Sequence, residues 1–181
     1  MKKSMGTVAR ILISLFVAGS AETGVLNIIQ GKIGHNTTWD TSHGPYLVVG
    51  DVIVEKGVVL TIKPGTQVLF APSNPQAKPY PVPSLKAKLT APALVIEGSL
   101  VAVGSEQKAI YFTSPDPQGK GCLYFRGDAK GKSILRRCAI SGEKMVCDGS
   151  FPTVTQCVVD GTAMGLDEDA YAMGYYFRHS L

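Results

Sequence analysis

From Gly50 onward, short apolar runs alternate with polar positions at a period of two, which is the spacing of strands and not of helices. Val52 and Val54, Leu60 and Ile62, and Val68 and Phe70 form three apolar pairs set eight residues apart. Each pair predicts one short strand followed by a turn. Glu55-Lys56-Gly57 and Lys63-Pro64-Gly65 supply the turn chemistry, because Gly tolerates positive φ and Pro presets a corner. A second winding repeats the pattern with Leu94 and Ile96, Leu100 with Val103, and Ile110 and Phe112, broken at Gly98 and Gly104. Between the two, residues 72–92 hold six of the eleven prolines, several lysines and no acidic residue, which predicts a protruding loop and not another strand.

Toward the C-terminus the pattern becomes an internal repeat of 19 residues. Sliding residues 133–148 onto 152–167 superposes Cys138 on Cys157, Gly142 on Gly161, Met145 on Met164 and Asp148 on Asp167. Leu135 with Val154, Ala139 with Val158, Ile140 with Val159 and Cys147 with Leu166 keep their apolar character. A repeat this short cannot bury its inward side chains alone, so successive copies must stack at about 4.8 Å and place like residues in ladders. The expected fold is therefore all-β: a short single-stranded right-handed parallel β-helix, or solenoid. Cys138 and Cys157 are expected as neighbours in one ladder, and Met145 and Met164 in another. The same register carried past Leu166 turns Arg178 inward, so the pattern stops there.

The N-terminal segment has different physics. Lys2, Lys3 and Arg10 flank the run Ile11 to Ala18, and small residues follow through Ala21. That order predicts a signal peptide, helical while attached, over residues 1–21. The run is too short to span a bilayer, which takes about 20 apolar residues. A buried N-terminal helix is the other reading of the same residues. The predicted organisation is thus a signal at 1–21, an N-terminal cap segment at 22–49, stacked strands at 50–167 with the Pro- and Lys-rich loop 72–92, and a cap or truncated end at 168–181. Exposed strand edges at such an end invite association.

Composition narrows the partners. The chain has 181 residues and a formal charge of +4, which falls to +1 once Lys2, Lys3 and Arg10 are removed. With its basic residues dispersed, it has no electrostatic footprint for nucleic acid. Export would place it in the periplasm, at the cell surface or outside, with no stable membrane span after signal removal. Cys122, Cys138, Cys147 and Cys157 lack any CxxC pair and lie far in sequence from His35, His43 and His179, which argues against zinc. Two readings remain for them: buried thiols in stacked strands, or disulfides permitted by an oxidising compartment.

The stretch Gly44-Pro45-Tyr46-Leu47-Val48-Val49-Gly50-Asp51-Val52-Ile53-Val54, with Leu60-Thr61-Ile62-Lys63-Pro64-Gly65-Thr66 after it, resembles the opening coils of exported bacterial right-handed β-helix repeat proteins of pectate-lyase-like architecture. Leu94-Val95-Ile96-Glu97-Gly98-Ser99-Leu100 through Ile110-Tyr111-Phe112-Thr113-Ser114 does the same. The resemblance covers about residues 35 to 167 and implies architecture more than function, since that fold serves lyases, adhesins, S-layer-associated proteins and carbohydrate binders.

Candidate chemistry is sparse. A β-helix lyase would need carboxylates that bind calcium, and the candidates are Asp148, Asp160 and Asp167, with Glu168 and Asp169 nearby and Arg136 and Arg137 as bases. Turn positions favour Asp for local hydrogen bonding whatever the function, which is the plainer account of them. Ser133 and Ser150 have no nearby His, and His35 and His43 belong to a solvated segment before the first coil. Asn36-Thr37-Thr38 is a formal glycosylation sequon. Trp39, together with Tyr46, is placed to plug the N-terminal end, and its alternative role is stacking on sugar. Tyr111 and Tyr124, and also Tyr80, are the other candidate sugar contacts; alternation turns Tyr111 and Tyr124 outward beside Phe112 and Phe125. The expectation is a non-enzymatic exported module that binds polysaccharide or a surface protein. Its alternatives are a pectate-lyase-like enzyme or a truncated piece of a larger adhesin-like protein.

Overall fold

The structure is a computed structural model, and it describes residues 10–11, 26–72, 80–82, 87–89, 91–115, 121–127 and 132–165. Among these residues every regular element is a strand. A nine-stranded sheet contains β1 (Arg10–Ile11), β2 (Leu26–Ile33), β4 (Tyr46–Val54), β6 (Gln67–Phe70), β9 (Ala93–Ile96), β11 (Ile110–Thr113), β12 (Cys122–Arg126), β14 (Cys138–Asp148) and β16 (Val158–Gly165). A five-stranded sheet contains β3 (Thr37–Trp39), β5 (Val59–Ile62), β10 (Ser99–Val103), β13 (Ile134–Arg136) and β15 (Thr153–Thr155). The remaining pair, β7 (Tyr80–Val82) and β8 (Ala87–Leu89), stands apart. Only β1 with β2 and β7 with β8 are antiparallel among the strand pairings described; the others are parallel.

Parallel neighbours cannot be joined by a tight hairpin, so the chain must travel around before it pairs again. It does so in a fixed order. Tyr46–Val48 at the start of β4 pairs with β6, while Val52–Val54 at its end pairs with β9. Residues 138–141 of β14 pair with β11, and residues 144–148 pair with β12. Both strands therefore bend, and they fold the nine-stranded sheet into two flanks until β9 meets β4 again. The chain passes from first flank to second flank to five-stranded sheet and then begins the circuit again. This strongly curled, parallel, all-β arrangement is compatible with a β-helix. The bends fall at register shifts between Ile29 and Gly31 and between Ser141 and Lys144. Gly31 (φ 90°) and Gly142 (φ 74°) take the left-handed backbone that these bends require.

The core lies between the flanks and the five-stranded sheet. The apolar pairs expected from the alternation, Val52 with Val54, Leu60 with Ile62, Val68 with Phe70, Leu94 with Ile96 and Ile110 with Phe112, are all buried in one cluster. Backbone register turns them into rows: Val52, Leu94, Leu123 and Met145 are successive partners, as are Val68, Phe112 and Ile140. Each fully buried Leu, Ile or Phe contributes about 1.5 to 3 kcal/mol by leaving water, which no single circuit could gain alone. The inward neighbour of Leu100 is Ala102, not Val103, because the strict period of two holds through β10.

The corners follow the turn chemistry. Val58 donates its N–H to the Glu55 carbonyl at 3.0 Å and Thr66 to Lys63 at 3.3 Å, closing the two expected turns with Gly57 (φ 78°) and Gly65 (φ 83°) inside them. Gly98 answers a different need. A Cβ there would sit 2.2 Å from the Val58 carbonyl oxygen and 2.4 Å from that of Glu55.

Several expectations are corrected. Parallel pairing begins at Asn27, well before residue 50, with β2 on β4 and β3 on β5. A helix over the N-terminal segment is not seen: Arg10–Ile11 is extended against Asn27 and Leu26, and the rest of 1–21 lies outside the described residues. The 72–92 segment is not all loop, since β7 and β8 pair within it. Met145 pairs with Ala163, and Met164 with Val146, because the shift after Ser141 moves the 19-residue register by one. Residues 168–181 lie outside the described residues.

Urea melts would test this packing. Phe112→Ala is expected to cost about 3 to 5 kcal/mol, against about 0.5 kcal/mol or less for its outward neighbour in Tyr111→Ala. Gly98→Ala is expected to cost about 3 kcal/mol or more through backbone collision. Gly57→Ala, which meets nothing within 4 Å, should cost only the left-handed strain of about 1 to 2 kcal/mol.

Candidate functional site

The outer face of the first flank carries exposed side chains from several strands. Register sets Gln67, Tyr111, Ala139 and Val158 in one row across β6, β11, β14 and β16. Beside it runs a second row of Leu47, Leu69, Thr113 and Ser141. Tyr111 is 45% exposed and Val158 53%, while Gln67 and Ser141 are exposed polar neighbours. Parallel strands step by about 4.8 Å, so the first row extends on the order of 14 Å along a nearly level surface. The sequence expectation that Tyr111 points outward beside the buried Phe112 is met.

Two of the other three aromatic candidates, Trp39 and Tyr124, are not presented to solvent. Trp39 is 3% exposed and stacks on Tyr46 with ring centroids 4.7 Å apart and planes 12° from parallel. It pairs with Ile62 at the outermost strand of the five-stranded sheet, so it works as an end layer of the core. Burial raises the Tyr46 hydroxyl above its usual pKa. Tyr124 does face away from the central core, as alternation requires, but it is fully covered. Its ring lies in a second apolar cluster with Ala93, Val95, Cys122 and Val146. Tyr80 is placed on β7, where only its backbone is described.

Polar ties decorate that second flank. The Tyr124 hydroxyl donates to Asp148 Oδ2 at 2.5 Å, and Arg126 Nη1 donates to Glu97 Oε1 at 2.6 Å. Arg126 and Asp148 are also register partners, so Arg126 stands beside Asp148 while its guanidinium holds Glu97. Lys32 and Glu55 pair at 3.0 Å nearby, which raises the Lys32 pKa. Asp51, at the bend of β4, has its carboxyl pushed up by burial, offset in part by the N–H of Ala93.

The carboxylates proposed for calcium are divided by the fold. Asp148 lies on the second flank, whereas the backbone of Asp160 pairs with Ser141 on the first. Asp167, Glu168 and Asp169 lie outside the described residues. Arg136 is exposed on the five-stranded sheet, and Arg137 turns a corner with φ 51° and pairs with Glu106 at 3.1 Å. Neither approaches the row of Asp148. Among the described residues, no group of three or more His, Cys, Asp or Glu is placed to hold a metal ion. Ser133 is buried, and its hydroxyl accepts the Leu100 N–H at 3.0 Å.

One cluster escaped the sequence reading. Asp40 Oδ1 accepts the Ser42 N–H at 3.0 Å and the Ser42 hydroxyl at 2.6 Å, and lies 3.0 Å from His43 Nδ1. The spacing Asp-x-Ser-His is an Asx-turn signal that would have found it. The types match a nucleophilic triad, but the geometry does not. Ser42 Oγ lies 2.8 Å from the same Nδ1 that approaches Asp40, whereas a relay needs the carboxylate and the hydroxyl on opposite ring nitrogens. The cluster locks the turn before β4.

All four cysteines are buried, and none of them is in a disulfide. The first expectation, thiols in stacked strands, is the one found. No helix among the described residues is long and apolar enough to cross a membrane. Comparison of the chain with known protein families, with curated proteins and with solved structures returns no match.

The Asp40 turn gives a pH prediction. Donation from Ser42 and then His43 holds its carboxyl down at about 2, against an ordinary 3.8. A depressed folded pKa means that its stabilisation is present above the ordinary value and disappears as pH falls through about 2. Carboxyl-carbon NMR should place the Asp40 midpoint near 2, and Ser42→Ala should move it up toward 3.8. A midpoint of 3.8 in the parent chain would show that the turn does not hold in solution.

Proposed function

We propose that the chain is an exported, short right-handed parallel β-helix that acts without catalysis, binding polysaccharide on the outer face of its first flank. The winding is supported by the recurring order of first flank, second flank and five-stranded sheet, and the hand by the right-handed rule for parallel crossovers. Export rests on the basic flank, apolar run and small-residue exit of residues 1–21. The observation that carries the binding reading is Tyr111, an aromatic ring 45% exposed within a row of backbone-fixed side chains. Such a ring offers a flat apolar face, and Gln67 and Ser141 around it offer hydrogen bonds, which together suit a sugar chain lying across the strands, along the row. Because the platform is hydrogen-bonded on both sides of β11, little ordering entropy is lost on contact. The separation of Asp148 from Asp160 favours this over a lyase, which needs its carboxylates together.

Affinity electrophoresis and pull-down of the full chain on cellulose, chitin, pectin and peptidoglycan test the reading. At least one should retain the chain. Tyr111→Ala should then weaken binding about tenfold, which is about 1.4 kcal/mol. Thr153→Ala, on the exposed face of the five-stranded sheet, should bind like the parent. Retention by none of these glycans, or equal binding by Tyr111→Ala, would sink it.

A further inference from the structure

We infer that Cys138 and Cys157 form an oxidisable dithiol, a modification site at which peroxide or a disulfide-bearing thiol reagent links two successive windings by a disulfide. The two residues occupy the same corner one circuit apart. Arg137 (φ 51°) and Gln156 (φ 53°), which precede them, share the left-handed backbone, and Ala139 pairs with Val158 immediately after them. The corner therefore brings both side chains to equivalent inward positions on stacked strands. Cα atoms in such neighbours lie about 4.8 Å apart, inside the range of about 4.4 to 6.8 Å that a disulfide spans.

The Cys157 sulfur meets the backbone of Cys138 directly and also donates to the Thr155 carbonyl at 3.3 Å. Cys157 Sγ accepts the backbone N–H of Cys138 at 3.4 Å, and Cys138 Sγ lies 3.5 Å from the Ala102 and Arg136 carbonyl oxygens. Donation from Cys138 lowers the Cys157 thiol below its ordinary range, and Cys138 in turn holds its proton more tightly than an ordinary thiol. Cys157 Sγ accepts a backbone N–H whereas Cys138 Sγ faces two carbonyl oxygens, which assigns Cys157 as the nucleophile and Cys138 as the resolving thiol. Cys122 and Cys147 lie on the second flank, in rows whose partners are Ala93 and Phe125, so neither has a cysteine beside it in register. Cys157 itself is 2% exposed and sits at the corner between the exposed Gln156 and Val158.

With hydrogen peroxide the step balances. The Cys157 thiolate attacks one peroxide oxygen, the O–O bond breaks, and the departing hydroxide takes a proton to become water, leaving a sulfenic acid. The Cys138 sulfur then attacks that sulfur, the S–O bond breaks, and its proton leaves with the hydroxyl as a second water. Two electrons pass from the sulfurs to the peroxide, and one S–S bond forms.

The test uses the reduced full chain with an equimolar amount of hydrogen peroxide, then catalase, denaturation, iodoacetamide and peptide mass spectrometry. Peptides containing Cys138 and Cys157 should appear joined and lighter by two hydrogens, with Cys122 and Cys147 alkylated, and dithiothreitol should separate them. In Cys138→Ser, dimedone should trap a sulfenic acid at Cys157; Cys138→Ala provides the same readout if the serine is not tolerated. The inference is overturned if all four thiols stay alkylatable, if Cys122 or Cys147 oxidises first, or if Cys157 is oxidised without a joined peptide.

Discussion

Parallel backbone pairing is the constraint on which everything else depends. It sets strands about 4.8 Å apart with their side chains in register, so each inward residue must be compatible with the one beneath it and the one above. Rows such as Val52, Leu94, Leu123 and Met145 satisfy that demand, and the same rule places Tyr111 over Ala139 on the outside. It also explains why short strands suffice. A four-residue strand such as β5 has little stability alone, but it is hydrogen-bonded to β3 on one side and β10 on the other.

The apolar pairs and turns were legible because both signals are local. Alternation alone assigns Val52, Leu60, Val68 and their partners to the inside, and Gly57 and Gly65 mark corners that only positive φ can make. What the sequence hid was non-local. The extra residue at the Ser141–Lys144 bulge cannot be inferred from a repeat that stays in phase on either side of it, yet it moves Met145 from Met164 to Ala163. Alternation likewise says that Tyr124 faces away from the central core but not that a second apolar cluster covers it. The first strands were missed because the β1 pairing reaches only Leu26 and Asn27, so the rest of β2, paired with β4 alone among the described strands, tolerates the exposed Gln30 and Lys32 and loses its apolar signature.

Of the candidate site, Tyr111 was readable and its neighbours were not. Gln67, Ala139 and Val158 come from distant parts of the chain and meet only through register. The Asp40 turn was readable in principle, since the partners of its carboxylate lie within three residues. It looks like a solvated loop because its hydrogen bonds are local and leave no apolar trace.

The corner between the two flanks is built in two ways. In β2, β4, β14 and β16 the chain crosses it as one continuous bent strand, whereas in the intervening circuits it leaves after Phe70 and after Thr113 and comes back at Ala93 and Cys122. The register of the frame is the same in both cases, because Val54 pairs with Ile96 and Phe125 with Cys147 regardless of how much chain lies before them. That corner is accordingly a graft point: segments of unrelated length and composition can be spliced in there without retuning the barrel of strands, so the scaffold and its appendages are free to diverge at different rates.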